Sequence, residues 1–143
     1  MAAGLPEPAQ RYFNFTIAQG TLLYTAVEID MAGEIGLGSK DAPRYRNMTA
    51  RQILAPPHGL VWKVKTGPIS GSDGALPEKS WTRFWLFGLI PAVRASGSDH
   101  HRSAFGRVVA EAAFWAPASL LPGKFVRWEP IDKNCARAVV TFG

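Results

Sequence analysis

A single cysteine, Cys135, stands among the 143 residues. An internal disulfide is therefore excluded, and so is any metal centre built from several thiolates. Its strand-like surroundings, CARAVVTF, predict a packed core residue. No apolar run approaches the ~20 residues that a helix needs to cross a bilayer, so no membrane span is expected. The N-terminal MAAGLPEPAQRYF has neither the charged start nor the apolar stretch of a signal peptide, which leaves the cytoplasm as the expected compartment. Sixteen basic residues against eleven acidic ones give a net charge of +5, yet Lys and Arg are scattered without a run and no aromatic–basic motif occurs. Nucleic acid is not an expected partner. The glycine-containing GLGSK (Gly36 to Lys40) lacks the spacing of a phosphate loop and does not lead into a helix, so no nucleotide or other cofactor is expected. Histidines at HxxxH or HExxH spacing are missing as well, and no metal site is assigned.

What is present fits one globular domain, residues 1–143, with 47% apolar and 19% charged residues. Pro8 suits the first turn of a short helix over LPEPAQRYFNF. In TLLYTAVEIDMAGEIG, Leu23, Val27, Ile29, Met31 and Ile35 alternate with Glu28, Asp30 and Glu34, the period of a strand with one buried face. RNMTARQIL and LVWKVKT are two further strands around the turn APPHG, the second with Leu60, Trp62 and Val64 on one face. GPISGSDGALPEKS reads as an exposed loop, and WTRFWLFGLIPAV as one buried strand with a bend. A long helix follows, with Ser98 or Asp99 as its cap and Pro117 as its stop. KFVRWEPI and ARAVVTF close the chain as two strands joined by DKNC. The expected class is α+β: a curved antiparallel sheet packed against one long helix, plus a short N-terminal helix.

The long helix carries the most informative pattern. Ser103, Arg107 and Glu111 recur every four residues on an otherwise apolar segment, RSAFGRVVAEAAFWAP. Four residues advance a helix by about 400°, so the three polar groups form one narrow stripe. Phe114 falls at about the same angle, one turn beyond, with Trp115 beside it. Three readings stand: a cavity wall, a buried ion pair between Arg107 and Glu111, or a solvated stripe. In an apolar cavity, desolvation would raise the Glu111 pKa and Arg107 would lower it, tuning it as a general acid or base. Nearby SDHHRS offers Asp99, His100 and His101, either as a catalytic histidine or as a cap with exposed rings. Trp62, Trp115 and Trp128 come from separate segments and either fill a core or wall an apolar pocket.

Several segments resemble a family of uncharacterised proteins, a domain of unknown function. They are LPEPAQRYF (Leu5 to Phe13), PPHGLVW (Pro56 to Trp62), LFGLIPAVRASG (Leu86 to Gly97), SAFGRVVAEAAFWAPASLLP (Ser103 to Pro122) and VRWEPID (Val126 to Asp132). The resemblance implies a half-barrel-like sheet and polar positions at Ser103, Arg107 and Glu111. It also implies further strands after ARAVV that this chain lacks. An open sheet edge left in this way would pair with a second copy, so a homodimer or higher oligomer is expected.

The leading functional expectation is binding of a hydrophobic or amphipathic small molecule between sheet and helix. Ser103, Arg107, Phe114, Trp115, Trp62 and Trp128 are its candidate ligand contacts. The alternative is a cofactor-independent hydrolase or isomerase using Glu111 with His101. A structural or oligomerisation domain is the third.

Overall fold

The computed structural model of the chain describes residues 2–142. A short helix, α1 (Glu7–Thr16), precedes six strands: β1 (Val27–Ser39), β2 (Ala42–Ala55), β3 (Gly59–Thr66), β4 (Ile69–Leu76), β5 (Lys79–Leu86) and β6 (Ile90–Ala95). The long helix α2 (Ser98–Trp115), a 3-10 turn (Pro117–Leu120) and the strands β7 (Val126–Pro130) and β8 (Ala136–Val140) follow. The first six strands form one antiparallel sheet in chain order, while β7 and β8 make a separate hairpin. The architecture is thus the expected α+β one: an open, half-barrel-like sheet, one long helix and a short N-terminal helix. No helix among the described residues is long and apolar enough to cross a membrane.

Alternation fixes which face of the sheet is covered. Ala50, Gln52 and Leu54 on β2 and Leu60, Trp62 and Val64 on β3 are buried, while the residues between them are more exposed. Val27 and Met31 on β1 extend the same apolar face, which packs on Val108 of α2. A second cluster lies behind α2, where Phe13 and Ile17 of the N-terminal segment meet Ala112, Ala118 and Leu120. The Tyr12 hydroxyl donates to the Ala113 carbonyl at 2.9 Å, and the Trp128 indole nitrogen donates to the Leu120 carbonyl, also at 2.9 Å. Helix α2 is therefore the middle layer, between the large sheet and a lid of α1 with the β7–β8 hairpin.

Four expectations change. Helix α2 is capped by Gly97 with no side-chain cap bond, so Ser98 and Asp99 lie inside its first turn. GPISGSDGALPEKS is not a loop; most of it is β4 and the tight turn into β5. Gly71 and Gly74 are there because aromatic rings of β5 lie on the strand. A Cβ at Gly71 would come within 2.4 Å of the Phe84 ring, and one at Gly74 within 2.2 Å of the Trp81 ring. WTRFWLFGLIPAV is two strands and a hairpin, not one bent strand, and every residue of β6 is exposed. Cys135 sits in the exposed turn before β8, not in the core, because the backbone N–H groups of Asn134 and Cys135 wrap onto the Asp132 carboxylate there. Its thiol should accordingly react with Ellman's reagent in the native protein as fast as in denaturant. Protection until unfolding would contradict this placement.

Candidate functional site

Helix α2 crosses the strands of the sheet. His100 meets Ser80 and Thr82 on β5, Arg107 meets Asp73 on β4 and Trp62 on β3, and Glu111 meets Gln52 on β2. One helical turn rises about 5.4 Å, and neighbouring strands are about 4.8 Å apart. Each turn of the helix therefore faces roughly one strand. This near-match explains the four-residue stripe: it is the line along which α2 lies over a row of the sheet. The row itself is set by register, because Gln52 pairs with Trp62, Trp62 with Asp73, and Asp73 with Thr82.

Over that row the polar groups close into a cluster. Arg107 Nε donates to Glu111 Oε1 at 2.6 Å, Nη2 to Gln52 Oε1 at 3.1 Å, and Nη1 to Asp73 Oδ2 at 3.3 Å. The Gln52 amide nitrogen in turn donates to Glu111 Oε2. The guanidinium lies over the Trp62 ring, 5.5 Å from its centroid, within cation–π range. Gln52 is fully buried, so both ends of its amide must be satisfied here, and they are. One cation faces two carboxylates. Asp73 Oδ1 is shielded from solvent and has no hydrogen-bond partner among the described residues.

Beside the cluster a cavity of about 170 Å³ opens between β3, β4, β5 and α2. Leu60, Ala75 and Ala104 give it an apolar side; Asp73, Ser103 and Arg107 give it a polar one, with Thr82 and His100 at the β5 end. His100 is clamped by two hydroxyls, Nδ1 to Ser80 Oγ at 2.7 Å and Nε2 to Thr82 Oγ1 at 3.0 Å. A neutral imidazole donates from one nitrogen and accepts on the other, so the ring is locked in place by both. No group of three His, Cys, Asp or Glu side chains suited to a metal ion occurs among the described residues.

The sequence matches a family of unknown function, DUF6544, over residues 1–143. The chain belongs to this family. No curated protein and no solved structure matches it.

Of the residues nominated from the sequence, this DUF6544 domain brings Ser103 and Arg107 to the cavity and sets Trp62 and Glu111 in the adjoining cluster. It does not bring the others there. Phe114 and Trp115 lie beyond the last strand contact of α2 and are 80% and 54% exposed. Trp128 packs edge-on against Phe13 in the second cluster, 5.6 Å between centroids. His101 points away from its neighbour: its Nε2 bonds the Leu76 carbonyl at 2.9 Å and its ring stacks on Phe142. Gln52, Asp73 and Thr82 complete the site without having been nominated for it, and of the two adjacent histidines it is His100 that joins them. For Gln52 a signal existed, because it shares strand parity with Ala50 and Leu54, and a polar residue in an apolar stripe asks for partners.

Proposed function

We propose that the domain binds a small amphipathic molecule in the cavity between β3, β4, β5 and α2. The observation that carries this reading is one half-open pocket whose lining joins the apolar Leu60, Ala75 and Ala104 to the charged Asp73 and Arg107. About 170 Å³ matches the size at which an apolar cavity of ~150 Å³ takes up a benzene ring. A ligand body of about ring size fits that volume. Its polar end is a donor, a hydroxyl or an ammonium, because two carboxylates outnumber the single guanidinium and disfavour an anion.

The hydrolase or isomerase reading draws less support from the geometry. Both Glu111 oxygens are engaged, one by Arg107 and one by Gln52. A general base needs an oxygen facing the substrate, and this carboxylate instead anchors its neighbours.

Titration of the labelled protein with 4-methylphenol, 4-methylbenzylamine and benzoate, followed by amide chemical shifts, tests the proposal. The phenol and the amine should give saturable shifts at Asp73, Thr82, Ser103 and Ala104, with benzoate weaker than either. Ala104→Leu, which fills the apolar side, should abolish the response while leaving the fold intact. Absence of saturable shifts with all three probes, or shifts that persist unchanged in Ala104→Leu, would sink the reading.

A further inference from the structure

The tips of three hairpins meet at one end of the sheet. In an up-and-down sheet whose order follows the chain, the β1–β2, β3–β4 and β5–β6 turns share one end. Here they are also in contact. Leu37, Arg44 and Arg46 of the first hairpin, Pro68 and Ile69 of the second and Leu86 of the third line one shallow depression. The Phe87 N–H donates to the Pro68 carbonyl at 2.7 Å, which ties the third tip to the second.

The third tip is unusual in two independent ways. Phe87 and Gly88 occupy its central positions with φ of 54° and 72°, closed by a 3.1 Å bond from Leu89 N–H to the Leu86 carbonyl. Two-residue turns of this kind favour Asn-Gly, because a residue with a bulky Cβ substituent is strained at positive φ. The strain brings no burial in return: Phe87, Leu89 and Ile90 are 69%, 83% and 58% exposed. The first tip, at the same end, carries Lys40, Arg44 and Arg46, all exposed, with Asp41 as the acidic exception, and Arg44 and Arg46 line the depression that Leu86 also lines. None of the three basic side chains is in an ion pair among the described residues.

We propose that this end of the sheet docks on an anionic bilayer surface, with the Phe87–Ile90 tip entering the headgroup–acyl boundary and Lys40, Arg44 and Arg46 resting on the lipid phosphates. An apolar wedge with basic side chains at the same end is the arrangement that shallow insertion needs, since burial and attraction to anionic lipid add. Charge complementarity selects the occupant. A second copy of this chain presents the same excess of positive charge at this end and repels it.

Cosedimentation of the full chain with vesicles tests the proposal, using equimolar phosphatidylglycerol and phosphatidylcholine against phosphatidylcholine alone. The protein should sediment with the anionic vesicles only, and less so as salt is raised. Phe87→Gly, Leu89→Ser and the double change Arg44→Gln with Arg46→Gln should each weaken partitioning about tenfold or more. Phe87→Gly also relieves the positive φ, so its melting temperature should not fall, which separates lost docking from lost folding. No sedimentation with anionic vesicles, or sedimentation unchanged in all three variants, overturns the proposal. So does light scattering that shows an oligomer dissolved by Leu89→Ser while vesicle binding is untouched, which would assign the tip to self-association.

Discussion

Arg107→Ala should lower stability by about 2–3 kcal/mol and the melting temperature by roughly 10 °C. The substitution removes three donors at once and leaves the fully buried Gln52 carbonyl oxygen without its partner. It also strips the cation from the Trp62 face. Breaking a fully buried pair costs about 3–5 kcal/mol. Side-chain exposures of 34% for Arg107 and 25% for Glu111 let water offset part of this, hence the lower figure. Arg107→Lys should recover little, because one ammonium cannot reach Glu111, Gln52 and Asp73 in three directions. Glu111→Gln tests the directionality of the cluster. Gln52 donates to Glu111 and accepts from Arg107, so a new amide at 111 sets two donors face to face however either amide is turned. A cost of about 2 kcal/mol follows. Thermal or denaturant melts of all three variants decide the matter; an Arg107→Ala protein that melts with the wild type would show the cluster to be incidental to stability.

Gly59→Ala is expected to be the most damaging small change, at about 4 kcal/mol or outright loss of soluble protein. Gly59 opens β3 with φ of 140°, a conformation that a Cβ opposes, and that Cβ would lie 2.0 Å from the Ala75 carbonyl oxygen. The obstacle is backbone of β4, so no rotamer change relieves it; β3 and β4 would have to separate at the edge of the cavity. Gly88→Ala is the matching control. Its φ is 72°, but a Cβ there meets nothing within 4 Å, so only conformational strain of about 1 kcal/mol is expected. Equal destabilisation of the two variants would mean that the close approach at Gly59 is absent in solution.

The elements legible in the sequence were those whose own period declares them. Alternation in β1 and β3, Pro8 at the start of α1 and the Pro117 stop after α2 all lie on the chain itself. Two features escaped because their cause is a neighbour. β4 looks like a loop until Trp81 and Phe84 are seen lying on Gly74 and Gly71, and the β5–β6 turn hides because Phe87 stands where Asn is usual. The site was half visible for the same reason. Ser103, Arg107 and Glu111 share one helix and could be read together, whereas Gln52 and Asp73 join them only through strand register. The stripe was extended too far, to Phe114, because helical phase says nothing of where the sheet beneath ends.

The order of the large sheet, each strand beside its predecessor, has a consequence for synthesis. Every ladder in it closes through a short turn between consecutive strands, so its pairing contacts are the kind that form early. All six strands can assemble while α2 and the strands that follow it are still leaving the ribosome. The N-terminal helix has no such local partner. Its Tyr12 hydroxyl waits for a carbonyl at Ala113, 101 residues away, and its Phe13 ring for Trp128. The helix made before the sheet is therefore anchored after it, and until then its apolar side is the one a chaperone would meet.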